Sequence, residues 1–183
     1  MNFYRLYTDN YFPDHWYLGD INVDDNWIFT DGKPVNVKKN KKLEVEVDEK
    51  GVETDFTETS AFIVPIISKR FAECLYEYTD QVQLLPVKVP SAKDSYYILV
   101  IKHEIDCVDE SRSEFVKFKE NDEIRPDLAG EYKEIHNLKI DKSKVDKSIF
   151  RLGKFGIYII INEKLKTALE KENLTGFKLE LVS

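Results

Sequence analysis

The sequence predicts an α+β domain: a mixed or mainly antiparallel sheet, two helices in a repeated strand–helix–strand unit, and an N-terminal β-rich layer. Three observations predict it. Residues 61–89 read as strand, capped helix, strand. The same grammar returns in residues 156–182. Elsewhere, short apolar runs are punctuated by polar turn clusters at strand spacing.

Residues 61–67 are apolar, with β-branched Ile63, Val64, Ile66 and Ile67, as a buried strand requires. Ser68 follows as an N-cap, its hydroxyl placed to accept a free N–H of the first helical turn. Phe71, Cys74, Leu75 and Tyr78 form one apolar stripe, with Lys69, Arg70, Glu73 and Glu77 toward water. Thr79 and Asp80 end the helix. Residues 81–89 alternate as a strand that contains Pro86. A proline has no N–H for a ladder, so Pro86 marks an edge or a bulge. In the second unit, residues 156–161 are a nearly continuous apolar strand and Asn162 takes the capping place of Ser68. Leu165, Ala168 and Leu169 mark one face of a helix over residues 163–171. Gly176 suits a left-handed exit, and Phe177, Leu179 and Leu181 alternate with Lys178 and Glu180 as in a half-solvated strand. Two readings of this recurrence stand: an internal pseudo-repeat, or the ordinary recurrence of short strand–helix–strand units in mixed domains.

The remaining elements follow in order. Residues 1–27 interleave Tyr7, Tyr11, Trp16, Tyr17 and Trp27 with Asp9, Asp14, Asp20, Asp24 and Asp25. Such a segment either meets a cationic partner or covers the core from one side with its aspartates in turns. Residues 27–30 read as a short strand and Asp31-Gly32 as a tight turn. The basic run KKNKK, residues 38–42, is flanked by alternating valines and reads as the turn of a hairpin. The acidic run of residues 48–58 reads as a solvated loop. It divides an N-terminal accessory β-rich segment, residues 1–60, from a core of residues 61–183, the two forming one compact domain. Residues 96–102 (YYILVIK) are the clearest central strand. Further short strands are expected at residues 105–108, 113–119 and 132–140, with a loop at 121–130.

Composition narrows the function classes. An aromatic content of 13% with only 7 Gly and 6 Pro excludes a low-complexity chain. No apolar run approaches the roughly 20 residues that span a bilayer, and residues 1–10 lack the apolar core of a secretory signal. Cys74 and Cys107 are the two cysteines, which in this context read as reduced thiols of a cytoplasmic protein. The net charge of −7 argues against a nucleic-acid partner and suits a basic protein partner.

Catalytic patterns are sparse. His103, Asp106, Cys107 and Asp109 are the nearest approach to a metal or nucleophile cluster, since alternate strand residues share a face. There is no paired ligand spacing of the zinc type, no glycine-rich phosphate cradle, and no third group to orient a Cys–His pair. A small enzyme centred on Cys107 and His103, or a non-catalytic scaffold module, are the alternatives. No metal or cofactor is expected. Arg125 and Arg151 read as single arginines that meet loop or buried carboxylates.

Several stretches in order carry a resemblance: Pro65-Ile-Ile-Ser68, Leu85-Pro-Val-Lys-Val89, Tyr96-Tyr-Ile-Leu-Val100, Ile105-Asp-Cys-Val-Asp109 with Ser113 close behind, Ile149-Phe-Arg151, and Leu174-Thr-Gly176-Phe177. Together they cover about two thirds of the chain, from Phe62 onward. This part resembles predicted immunity proteins of bacterial polymorphic toxin systems (family eleven). The resemblance implies a cytoplasmic protein that binds a cognate toxin and blocks it, without catalysis or cofactor. It transfers no functional residue. The contact surface is therefore expected on the acidic segments of this chain: Asp24, Asp25, Asp48, Glu49, Glu53 and Asp55.

Overall fold

The computed structural model describes residues 1–38, 41–90 and 92–183. In chain order its strands begin with β1 (Phe3–Thr8), β2 (Tyr17–Ile21), β3 (Leu43–Glu49), β4 (Phe56–Glu58) and β5 (Pro65–Ser68). Helix α1 (Lys69–Tyr78) leads to β6 (Val82–Lys88), β7 (Tyr96–Ile101), β8 (Glu104–Ile105), β9 (Glu114–Lys117) and β10 (Tyr132–Asn137). Then come β11 (Ile149–Leu152), β12 (Ile159–Asn162), α2 (Glu163–Lys171) and β13 (Phe177–Leu181). Both expected caps are formed. Ser68 Oγ accepts from the Phe71 N–H at 3.2 Å, and Asn162 Oδ1 accepts from the Leu165 N–H at 2.9 Å.

The strands form two larger sheets and a two-stranded ribbon, in the orders β2-β3-β6-β7-β5-β4, β13-β1-β12-β11-β8 and β10-β9. Pairing is mixed: β3 with β6 and β8 with β11 are parallel, and the other described strand pairs are antiparallel. The two helices lie side by side and share a central core with one face of each large sheet, built on Leu6, Phe56, Phe71, Leu75, Leu165 and Leu169. Trp16, Leu18, Phe29 and Val45 cover the other face of the six-stranded sheet. The β9–β10 ribbon covers the other face of the five-stranded sheet through Tyr132 and Ile135.

Within this core the recurrence seen in the sequence becomes a duplicated unit of four strands and one helix. The order β4-β5-β7-β6 with α1 matches β11-β12-β1-β13 with α2. The match holds in register. Ser68 faces Tyr96 as Asn162 faces Phe3, and Phe56 faces Ile67 as Ile149 faces Ile161. The N–H after each cap donates to the residue before the central strand, Lys69 to Ser95 O and Glu163 to Asn2 O, both at 2.9 Å. The core therefore consists largely of matched positions: Leu99 and Leu6, Phe71 and Leu165, Leu75 and Leu169. In the first unit the central strand β7 follows β6 directly. In the second it is β1, from the opposite end of the chain.

Each unit also clasps the other at the exit of its helix. Gln81 Oε1 accepts from the N–H and Oγ of Ser148 at 2.9 Å, just before β11. In the matching place, Thr175 donates its N–H and Oγ1–H to Asp55 Oδ2 at 2.9 and 3.1 Å, just before β4. Gly176 adjoins this second clasp with φ +88°, and a Cβ there would stand 2.2 Å from Phe56 O, so both conformation and space demand glycine.

Several expectations are corrected. The acidic run is not all solvated loop: Thr54–Thr57 are buried and β4 begins at Phe56, because Asp55 is satisfied internally. Residues 27–30 form a 3-10 turn, Asn26–Phe29, since Asp25 Oδ1 caps the Trp27 N–H at 2.9 Å. Val35 and Val37 belong to no strand. The Val35 backbone is held instead by the Gln83 side-chain amide, at 2.8 and 2.9 Å. Lys39 and Asn40, in the expected hairpin turn, lie outside the described residues. Residues 156–158 are turn rather than strand, with the Tyr158 N–H donating to Phe155 O. Pro86 behaves as expected of an edge. It faces Tyr97 of β7, while β3 pairs with β6 only at Val87 and Lys88, so no second ladder asks for its missing N–H.

Candidate functional site

The expected acidic residues fall into four settings. Asp48 and Glu49 are exposed at the end of β3, where Glu49 faces Tyr17. Asp24 and Asp25 are exposed just past the other end of the β2–β3 pairing, where Ile21 faces Val45. The β2–β3 pair thus separates these two pairs of acids rather than joining them. Glu53 accepts the Lys93 N–H with both oxygens, at 3.1 and 3.2 Å. Asp55 is 6% exposed and fully engaged: it accepts from Ser68 Oγ at 2.7 Å and from Thr175, and pairs with Arg70 at 3.3 Å. Its carboxylate ties the start of α1 to the exit of α2.

The burial of Cys107 argues against it as the nucleophile of a Cys107–His103 site. Cys107 is fully buried, and burial pushes its thiol up to about 12, so no thiolate is offered at neutral pH. Among the described residues, no three His, Cys, Asp or Glu side chains converge as metal ligands. Arg125 pairs with Asp127 at 2.8 Å, as a loop arginine should. Arg151 is wholly buried. Its Nη1 donates to Gly156 O at 2.7 Å, while Nε and Nη2 have no partner.

Two open clefts flank the turn at Ile157. The first, about 450 Å³, lies on the seam between the sheets and is lined by Arg5, Tyr7, His15, Tyr17, Glu58 and Tyr158. The Arg5 guanidinium stacks on Tyr158, 3.6 Å from the ring centroid. Glu58 Oε2 accepts both the N–H and Oγ1–H of Thr8 at 3.0 Å. Burial raises the Glu58 carboxyl against these bonds and against the pull of Arg151 and Arg5. The second cleft, about 590 Å³, is walled by Trp27, Tyr132 and Phe155 and carries Asp31, Glu104 and Glu131. Sequence reasoning missed both, because each is assembled from segments far apart in the chain.

His15 gives the seam cleft a pH signature. It is 7% exposed, its Nε2 is 3.3 Å from Thr57 Oγ1, and its Nδ1 has no partner. Burial holds the imidazole below its ordinary 6.5. The unfolded chain therefore takes up the proton first, so this contribution is complete above pH 6.5 and is lost as pH falls below it. Glu58 acts in the opposite sense, losing stability as pH rises past 4.5, so the informative comparison is between variants. Replacing His15 with Gln is expected to flatten the fall in melting temperature between pH 7 and 5. An unchanged slope in thermal melts would count against a buried neutral His15.

Residues 21–183 match the model of an immunity protein family (Imm11). The chain belongs to this immunity protein family. The match begins at Ile21, the last residue of β2 and well before Phe62, so β3 and β4 are part of the family pattern as well as the two helical units. No curated protein matches the chain. No helix among the described residues is long and apolar enough to cross a membrane.

Proposed function

We propose that this immunity protein binds a cognate bacterial toxin of a polymorphic toxin system in the cytoplasm and neutralises it by stoichiometric contact, without catalysis. Family membership over residues 21–183 is the observation that carries this reading. The toxin presents a basic surface, in keeping with the net charge of −7 and the exposed carboxylates of Asp24, Asp25, Asp48 and Glu49. The test is co-expression with the protein encoded next to it in the genome, scored by growth rescue and by one-to-one co-elution. Rescue without a complex would point to an enzymatic antidote and defeat the reading.

The exposed acids act at long range. Complementary charge speeds encounter and is screened by salt, with less effect on the lifetime of the complex. Replacing Asp48, Glu49 and Glu53 with serine is expected to slow association about three- to tenfold at low salt, with little change in dissociation. Stopped-flow association over a salt series measures it, and an unchanged rate would remove these residues from the interface. Asp55 is left out of this variant because its carboxylate serves the fold.

A further inference from the structure

We infer that the cleft beside Trp27 is the anchor point for the toxin, and that it takes a lysine or arginine side chain from a basic loop of that partner. The inference rests on the toxin-binding reading above and names the surface and the chemistry.

Trp27 leaves 48% of its surface exposed, although its ring is fixed edge-on to Phe62 at 5.2 Å and its N–H is capped by Asp25. An exposed yet immobilised tryptophan loses little freedom on binding, and tryptophan is enriched among the residues that dominate interfaces. The rim around it is equally fixed. Gly32, at φ +66°, lies so close to β8 that a Cβ would stand 2.9 Å from Glu104 Cβ. Gly156 packs similarly on Thr30 O. The loop carrying Asp31 is thus held in place before any partner arrives.

The charge balance of the cleft selects the occupant. Its lining includes the carboxylates of Asp31, Glu104 and Glu131 and the cations of Lys33, Arg125 and Lys154. Arg125 is committed to Asp127, and Lys154 to Asp106 at 2.6 Å, neither of which lines the cleft. The three lining acids make no ion pair among the described residues. Set against Lys33 and the buried Arg151, whose charge Asp31 and Glu104 help to hold, they still leave carboxylate in excess. Asp24 and Asp25 stand exposed beside the tryptophan. Carboxylates around an aromatic face suit a cationic side chain, which gains from both. An anionic or purely apolar segment would leave those acids unpaired.

The test uses the full-length protein and the toxin encoded next to it, with affinity and rates read by surface plasmon resonance and folding checked by circular dichroism. Trp27→Ala is expected to weaken binding at least thirtyfold, chiefly through faster dissociation. The conservative Trp27→Phe should retain most of the affinity. Asp31→Asn with Glu131→Gln should weaken binding about tenfold and reduce its salt dependence. Wild-type binding that survives Trp27→Ala and the double variant unchanged would overturn the inference and leave the toxin-binding reading standing. A wild-type protein that rescues growth yet never binds the toxin would overturn both.

Discussion

Removing residues 1–8 is expected to abolish the cooperative unfolding transition. β1 is not a peripheral strand: it pairs with β12 on one side and β13 on the other. Phe3 and Leu6 are 4% and 1% exposed. Burial of these two side chains alone represents about 3–6 kcal/mol, against a net domain stability of about 5–15 kcal/mol. Deletion also strands two ladders and strips Glu58 of both bonds from Thr8. The duplicated unit supplies a sharper form of the experiment. The end of β13 lies beside the start of β1, with the Val182 N–H donating to Phe3 O at 3.0 Å and the Phe3 N–H to Ser183 Oγ at 2.9 Å. Joining Ser183 to Met1 through a short glycine-rich linker, and opening the chain before Asp9, makes β13 run into β1 as β6 runs into β7. This permuted chain is expected to unfold in one transition, with fluorescence and circular dichroism coinciding in urea. A deletion variant that still unfolds cooperatively would show that residues 1–8 are an accessory segment after all. A permuted chain that fails to fold would show that chain order, and not only the matched packing, is needed.

That contrast also explains what the sequence could carry. The caps at Ser68 and Asn162, the apolar helix stripes and the strand at Tyr96 are local chemistry, legible within a few residues. The recurrence of strand, cap and helix was legible for the same reason. The fourth strand of the second unit was not, because its partners lie at the other end of the chain and nothing in FYRLYT announces them. Asp55 sits in an acidic run and looks solvated, yet its carboxylate is satisfied by Ser68, 13 positions away, and Thr175, 120 positions away. The aromatic–acidic N-terminus divides between both readings of it: Trp16 is buried in the core, while Trp27 is held exposed beside carboxylates. Trp16 donates its indole N–H to Thr54 Oγ1 and packs on Tyr96, whereas Trp27 is held by the cap at Asp25 and by Phe62, and none of these partners has a signature in composition.

Glu58 and Arg151 occupy matching positions in the two units, Glu58 opposite Pro65 and Arg151 opposite Ile159, each three residues before its cap. The matched positions thus hold a carboxylate and a guanidinium, and each shifts the other. Burial lowers Arg151 to about 10, with Glu58 foremost among the groups that resist this. Replacing Glu58 with Ala is expected to cost about 1–3 kcal/mol, because it leaves the buried Thr8 donors unpaired and removes the foremost carboxylate that favours the charged form of Arg151. Replacing both residues, Glu58 with Gln and Arg151 with Met, should cost less than Glu58→Ala alone. It removes the charge together with the two guanidinium nitrogens that already lack partners. Urea denaturation of the single and double variants measures the difference. If Glu58→Ala costs under about 1 kcal/mol, the buried arginine is balanced elsewhere, with Asp31 and Glu104 the next groups in line. If the double variant is the less stable of the two, the matched pair is a net stabiliser of the seam between the units, and its charge is worth more there than well-packed apolar volume.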